Sequence, residues 1–466
     1  MGAEKKQPKS AGIDDTITAI STATGVGALG IVRISGPQAV QIAQKIFTST
    51  SCPNIRNAQT HTVIHGYINA GKEVVDEVLL TVMKAPCTYT REDMVEISGH
   101  GGIFSLRRIL DEIIKQGARL AGPGEFTQRA FLNGRIDLSQ AESVVDVINA
   151  ETAAGLSLAI NQLKGALSGR IKKIFAEIMD VYAPLEAAID FPEEEIIGIG
   201  KNELRSKIVK AQKDIEDLIR TKDDGRRVRN GINLVIAGRA NVGKSSLFNH
   251  LLEENRSIVT HIPGTTRDIL EDNLVLRGML FKISDTAGLR KAKGLVEKIG
   301  IDQTHKRIEK ADLVLYLIDH KKGLSPEDVA FMQKVPQSAT IIVINKIDLP
   351  GNIKKNKLFD GFEVKKISVK ENKGMDDLRA AIVKKAEKIV PRNCCVKYLI
   401  NERQHEALLR TQGFLQNALG TIGKKLSYEF IALDLKAALN ALGEITGENI
   451  TENTLHKIFS RFCIGK

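Results

Sequence analysis

Gly238-Arg239-Ala240-Asn241-Val242-Gly243-Lys244-Ser245 follows the apolar run 232–237 directly and leads into a helical pattern. A strand, a G-x-x-x-x-G-K-S turn and a helix form the setting in which backbone N–H groups and the positive helix end wrap a phosphate. Val242, Gly243 and Lys244 through Ser246 then line the phosphates. Lys244 reaches the β- and γ-phosphates, and the Ser245 hydroxyl ligates Mg²⁺. Beyond the loop, strand-like runs at 273–284, 313–318, 340–344 and 364–367 are separated in their later part by helical patterns. That is the βαβ rhythm of a mostly parallel sheet.

The base is read further on. Asn345-Lys346-Ile347-Asp348 stands 107 residues beyond Gly238, directly after the apolar stretch 341–344. The Asp348 carboxylate can accept from guanine N1–H and N2–H₂ together, a donor pair that adenine lacks. Asn345 and Lys346 hold the loop and the flank of the base. Ser368-Val369-Lys370 fits the last base-contacting turn, with a backbone N–H aimed at guanine O6. Between the two motifs, Asp285-Thr286-Ala287-Gly288 ends a strand; Asp285 holds Mg²⁺ through water and the Gly288 N–H meets the γ-phosphate. Thr265 or Thr266 closes over the nucleotide and completes the metal shell, with a plain turn as the other reading of that pair. The expected ligand is GTP with Mg²⁺.

Small GTPases orient the attacking water with a Gln just after this DTAG motif. Here the residue is Leu289, which cannot hydrogen-bond water. Glu297 is the nearby acidic candidate, its alternative being an ordinary surface helix residue. Asn241 offers a carbonyl to a monovalent cation, and K⁺ there supplies the positive charge that an arginine finger brings elsewhere.

The rest of the chain sets this unit in context. Its 466 residues suggest about three domains at roughly 150 residues each. Thirty-nine Gly and 12 Pro are ordinary for a globular chain and exclude collagen-like or wholly disordered readings. No stretch approaches the length of apolar sequence that spans a bilayer, so no membrane partner is expected. Five Cys, two of them adjacent at 394 and 395 and the others far apart, make neither a disulfide scaffold nor a zinc knuckle, which suits a reducing cytoplasm. The net charge of +11 favours an anionic partner such as RNA, while the absence of Trp argues against a base-stacking reader.

Residues 1–12 read as a loose tail. Short strands at 16–21, 28–34, 61–68 and 77–83 alternate with helices at 38–47 and 103–116, making an α+β domain. Gly99, Gly101 and Gly102 mark a tight turn around His100. Residues 125–221 are helical in pattern, broken by Pro184 and Pro192, and 221–229 read as a charged connector. The chain is helical again from about 401. A nucleotide domain lying between two helical stretches, neither complete alone, implies insertion into a discontinuous all-α domain. The expected division is 1–120, 121–222, 223–389 and 390–466.

Several single residues carry two readings. Arg129 and Asn133 share one side of a helix and either face a ligand or brace the junction. Cys463 is either a reactive thiol on an exposed tail or a small buried hydrophobe beside Phe459 and Phe462; the residues alone favour the second. His405 reads as a structural helix residue, and the basic runs 226–229 and 354–357 as solvated surface giving at most salt-sensitive phosphate contacts.

The constellation GRANVGKSS (238–246), IVTHIPGTTRD (258–268), DTAGLR (285–290), VEKIGI (296–301) and NKID (345–348) resembles the TrmE/Era-like GTPases. Outside it, GEFTQRAFLNG (124–134), DLSQAE (137–142), LGEITGENI (442–450) and the ending Phe462-Cys463-Ile464-Gly465-Lys466 resemble the bacterial and organellar MnmE (TrmE) family of tRNA-modification GTPases, over roughly residues 14–466. The resemblance implies a multidomain α/β architecture: an N-terminal α+β folate-binding-type domain, a discontinuous all-α domain and an inserted Ras-like P-loop GTPase domain. It implies GTP hydrolysis coupled, with an FAD-dependent partner (MnmG/GidA), to adding an aminomethyl or carboxymethylaminomethyl group at C5 of wobble uridine 34 of certain tRNAs. FAD stays with that partner. A tetrahydrofolate derivative, 5-formyl or methylene, supplies the one-carbon unit, with Arg129 and Lys466 as its candidate contacts. A homodimer forms through the N-terminal domain, and K⁺ drives G-domain dimerisation. Asn241 matches the K⁺ ligand, Ser257 and Val259 fall in the loop over the cation (257–263), Glu297 matches the catalytic acid acting through water, and Cys463 lies near the modification site. A ribosome-assembly or RNA-binding GTPase switch is the rival, disfavoured because no KH-type GXXG module is present. The 24–30 segment departs from the family by lacking the Pro and Arg usual beside its glycines, and Val369 stands where Ala is commoner.

Overall fold

The computed structural model describes residues 15–23, 25–190, 200–253, 271–285, 308, 311–351, 353, 357–390, 397–424 and 427–466. They divide into two compact units: residues 1–145, 163–212 and 410–466, and residues 146–162 and 213–409.

The first unit carries a seven-stranded sheet among its described residues: β1 (Ile17–Ile20), β2 (Leu29–Ser35), β3 (Phe47–Thr48), β4 (Thr62–Ala70), β5 (Glu73–Met83), β6 (Met94–His100) and β7 (Arg119–Leu120), in the order β3-β4-β5-β6-β2-β1-β7. Alternating burial along β4 and β5 puts every second side chain into a core closed by the helices Ala39–Ile46 and Ile103–Lys115. At the other face, Ile17 and Ala19 of β1 pack with Phe126 of the helix Glu125–Leu132. The sequence reading passed over β6. Its Gly99 and His100 end that strand, pairing with Gly30 and Leu29, rather than forming a turn.

Pro184 does not break the helical region, contrary to expectation; it lies inside the helix Ala166–Asp190. A proline there costs about 3 kcal/mol. Burial of Val181, Tyr182 and Leu185, at about 1.5–3 kcal/mol each, outweighs it. The same helix packs against Tyr428–Thr446. Residues 221–229 are likewise no connector: the helix Lys201–Asn230 runs through them, with acid–base pairs such as Arg227–Asp224 one turn apart.

In the second unit, β8 (Ile232–Gly238), β9 (Glu271–Leu276), β10 (Met279–Asp285), β11 (Leu313–Asp319), β12 (Thr340–Asn345) and β13 (Glu363–Lys366) form a sheet ordered β13-β12-β11-β8-β10-β9, parallel except for β9. The run expected at 273–284 is a hairpin, because Arg277 (φ +48°) and Gly278 (φ +82°) supply the left-handed pair of a two-residue turn. β11 and β12 are buried at every position, as central strands covered on both faces must be. One face packs on the helices Lys244–Glu253 and Met375–Ile389, the other on Pro326–Lys334.

Candidate functional site

The phosphate loop leaves the C-terminal end of β8, between β11 and β10, where open parallel sheets bind ligands. Gly238 takes φ +138° and lies so close to the Leu317 carbonyl that a Cβ would sit 2.5 Å from it. Asn241 (φ +63°) and Gly243 (φ +98°) are also left-handed, which turns successive N–H groups inward. Val242, 1% exposed, pins the loop into the core. The helix begins at Lys244, whose Nζ donates to the carbonyls of Gly238 (2.9 Å) and Arg239 (2.7 Å). A cation parked on its own loop's carbonyls is placed for an incoming phosphate. Ser245 and Ser246 lie exposed on the first helical turn. Asp285 ends β10, paired with Ile236 of the phosphate-loop strand. A triphosphate with Mg²⁺ fits this donor set: inward N–H groups, one ammonium and a hydroxyl.

The base loop is tied to the phosphate loop by side chains. Asn345 is buried; its Nδ2 donates to the Val242 carbonyl at 2.9 Å and its Oδ1 accepts from the Lys346 N–H at 2.8 Å. Lys346 Nζ donates to the Asn241 carbonyl (2.8 Å) and to Asp319 Oδ2 (2.7 Å). Burial alone would push the Asp319 carboxyl up, but Lys346 and the N–H groups of Lys322 and Lys321 outweigh it and hold it below its usual range. Ser368 Oγ donates to Asp348 Oδ1 at 2.7 Å and also accepts from the Glu371 N–H at 3.2 Å, so one hydroxyl orients the carboxylate and its own turn. That hydrogen bond holds the Asp348 carboxyl below its usual range. Thr265, Thr266, Gly288, Leu289, Glu297, Ser257 and Val259 lie outside the described residues.

A second cluster forms where the C-terminal tail meets the N-terminal sheet. Phe459 and Phe462 are the buried anchors expected, and Phe462 packs on Gly124, whose left-handed backbone leaves 2.8 Å to a would-be Cβ. Cys463 itself is exposed, which corrects the reading of it as a packed hydrophobe. Its carbonyl accepts from the Gly124 N–H at 3.3 Å, and Ile464 bridges to Pro123. Gly465 packs on the backbone of Ile20 and Ser21, where a side chain has no room, and Lys466 follows half-buried.

Arg129 is corrected in the same region. It is 1% exposed and closed into a charge cluster: NH2 meets Asp15 Oδ1 (2.6 Å) and Glu125 (3.1 Å), and NH1 meets Glu92 (3.2 Å) and the Asp15 carbonyl (2.9 Å). Asn133 donates to the Thr90 carbonyl. Both brace the junction, and Arg129 presents no face to a ligand. The groups beside Gly465 are others. Arg33 pairs with Glu96 at 2.7 Å, lies over the rings of Tyr89 and Phe126 at 5.6 Å and donates to the Gly465 carbonyl at 3.4 Å. Arg135 lies 4.6 Å over the same Tyr89 ring.

Comparison with known proteins gives the lineage. The family description "MnmE helical domain" matches residues 138–463, and "GTP-binding protein TrmE N-terminus" matches 16–135. The tRNA modification GTPase MnmE of Clostridioides difficile (strain 630) is 42% identical over 457 residues, spanning 97% of this chain and 100% of its own. That of Thermoanaerobacter pseudethanolicus is 43% identical over 466 residues, spanning 97% and 99%. The chain belongs to the MnmE (TrmE) family.

In this MnmE-family chain the architecture is multidomain: an N-terminal α+β domain, a helical domain discontinuous in sequence and an inserted Ras-like domain whose sheet is mostly parallel. Sequence reasoning missed Arg33, Glu96 and Arg135. The signal was present: LGIVRIS (29–35) and MVEISGH (94–100) are apolar strands, each carrying a charge at a half-buried position, and the two charges fall opposite each other at the register Arg33↔Glu96. Register is what a single sequence does not state.

Proposed function

We propose that this chain hydrolyses GTP and, together with an FAD-dependent MnmG/GidA-type protein, adds an aminomethyl or carboxymethylaminomethyl group at C5 of wobble uridine 34 of tRNA. One observation carries the nucleotide half: the guanine-reading motif is hydrogen-bonded into the phosphate loop through Asn345–Val242 and Lys346–Asn241, which joins base and phosphate recognition in one pocket. The modification half rests on family membership.

In this reading Asp348, oriented by Ser368, takes the guanine edge, and Asn345 and Lys346 hold its loop. The amides of Val242 to Ser246 and the Lys244 ammonium bind the phosphates. Mg²⁺, held by Ser245, Thr266 and Asp285, neutralises charge on the phosphate oxygens. Asn241, with Ser257 and Val259, holds K⁺, which brings the positive charge that an arginine finger supplies elsewhere. Glu297 orients water in place of the missing Gln, and Gly288 meets the γ-phosphate. Glu297, Thr265 and Thr266 act from the segments on either side of the β9–β10 hairpin.

A tetrahydrofolate derivative supplies the one-carbon unit. The Arg33–Glu96 pair, Arg135, Tyr89 and Lys466 form its candidate cradle: a carboxylate matches the paired donors of an aminopyrimidinone, and stacked cation and ring surfaces match a flat heterocycle. Arg129 serves by bracing that region. Cys463, exposed on the tail beside it, is the candidate modification-site thiol. The protein works in the cytoplasm, on tRNA, as a homodimer through its N-terminal domain, with K⁺-dependent pairing of G domains. The proposed divisions are 1–120, 121–222, 223–389 and 390–466 with its CIGK end; the one at 222 falls within the helix Lys201–Asn230.

The test is mass-spectrometric analysis of wobble uridine in a deletion strain rescued with the wild type, Glu297→Ala or Cys463→Ser. The wild type restores the modification and neither variant does. Unaltered uridine 34 after deletion overturns the reading.

A further inference from the structure

Arg239, the second residue of the phosphate loop, reaches out of the loop into a buried network. Its NH2 lies 3.2 Å from Asp328 Oδ2 and donates to the Gly323 carbonyl at 3.1 Å. Asp328 is fully buried, with 0% exposure. It closes a capping box at the start of the helix Pro326–Lys334, accepting from the Ser325 N–H (2.8 Å) and Oγ (2.9 Å), while its other oxygen accepts from the Tyr316 hydroxyl at 2.9 Å. The Tyr316 ring stacks on Phe331 at 3.9 Å, which fixes that hydroxyl. A buried carboxylate needs a countercharge, and Arg239 supplies it.

The same connection holds the loop at a second point. Asp319 begins the stretch that ends at Asp328, and it fixes Lys346, whose Nζ caps the backbone carbonyl of Asn241, so the Asn241 oxygen meant for the cation is that of its side-chain amide. Two carboxylates at the two ends of the β11-to-helix connection therefore neutralise two cations of the loop's surroundings, Arg239 within the loop and Lys346 on its Asn241 carbonyl. The phosphate-binding part of the loop has a separate anchor, the Asn345–Val242 hydrogen bond and the helix that starts at Lys244. Arg239 is thus no arginine finger: its charge is already spent on Asp328.

We propose that Arg239 and Asp328 are a positioning pair that holds Asn241 in its left-handed pose, so that the pair sets the affinity for the monovalent cation and not for the guanine nucleotide. The proposal rests on the assignment of Asn241 to K⁺ made above. Arg239 is the residue to vary, because removing Asp328 also removes a helix cap.

The experiment compares wild type, Arg239→Lys and Arg239→Ala by three readouts: K⁺ titration of GTP turnover, fluorescent GDP-analogue affinity, and hydrogen exchange of the 238–243 amides without nucleotide or K⁺. A charge-assisted hydrogen bond is worth enough that Arg239→Ala raises the K⁺ concentration for half-maximal turnover by at least about fivefold, with GDP affinity kept within about twofold. Its loop amides exchange faster, and Arg239→Lys falls between. An unmoved K⁺ midpoint, or equal losses of K⁺ and GDP affinity, overturns the pair's role. A wild-type protein with equal turnover in K⁺ and Na⁺ overturns the assignment of Asn241 instead; faster exchange in Arg239→Ala then remains as evidence of the brace alone.

Discussion

Gly243 and Asn345 touch across the pocket so closely that a Cβ on the glycine would overlap the Asn345 side-chain nitrogen. The contact is possible only because Gly243, at φ +98°, carries no side chain, and it lets Asn345 Nδ2 reach the Val242 carbonyl at 2.9 Å, 103 residues away in sequence. Phosphate loop and base loop are one object.

Gly243→Ala therefore meets two penalties, a left-handed backbone costing about 1–3 kcal/mol and displacement of Asn345. Guanine-nucleotide affinity should fall at least about tenfold, or about 1.4 kcal/mol. The unfolding midpoint of the rest of the chain should barely move. Titration with a fluorescent GDP analogue checks this, and retained affinity would show that the loop tolerates the change.

Asp348→Asn should weaken GTP and admit xanthosine triphosphate, because an amide offers its N–H₂ where guanine already has donors. The Ser368 hydroxyl holds the Asp348 carboxyl below its usual range, so the acceptor form persists as pH falls and is lost only below that range. GTP affinity should stay level from neutral pH down to about 5. In Ser368→Ala the acid loss should begin at higher pH. Superimposable pH profiles would remove Ser368 from base recognition.

Arg129→Ala should cost about 3–5 kcal/mol, since it leaves Asp15, Glu92 and Glu125 facing one another without their shared cation. Burial pushes the Glu125 and Asp15 carboxyls up, but Arg119 and Arg129 outweigh it and both end below their usual ranges. Depressed carboxyls add stability above their unfolded values, near pH 4, and that share is lost as pH falls through the folded values. Denaturation followed from pH 7 to pH 3 should show this loss in the wild type and a smaller one in Arg129→Ala. Parallel curves would contradict it.

Phe462→Ala should free the tail, at about 3 kcal/mol for an aromatic lost from a packed site, locally. GTP turnover should persist while wobble-uridine modification falls. Cys463, exposed, should label with maleimide faster than the half-buried Cys52. Peptide-level mass spectrometry reads both rates, and a slow Cys463 would place it in a packed environment.

Legibility followed distance along the chain. Lys244, Ser245, Asn345 and Asp348 could be singled out as candidates from short motifs, because the role expected of each depends on a backbone pose that its own neighbours impose. Residues 221–229 misled because their charges suit a connector as well as a helix face, and only Lys201–Asn230 as a whole shows which. Arg129 split evenly between brace and ligand because its deciding partner, Asp15, stands 114 residues away.

The order of motifs alone determined that this chain binds GTP and that a sheet domain interrupts a helical one, since spacing and local backbone demands are written in the sequence. Tertiary structure decided which charges meet and which group stays open: Arg129 is spent on Asp15, Arg239 on Asp328 and Arg33 on Glu96, while the thiol of Cys463 is left exposed. The reason is physical. A charge leaves water only where strand register and helix placement bring it a partner, and that meeting is a property of the folded chain.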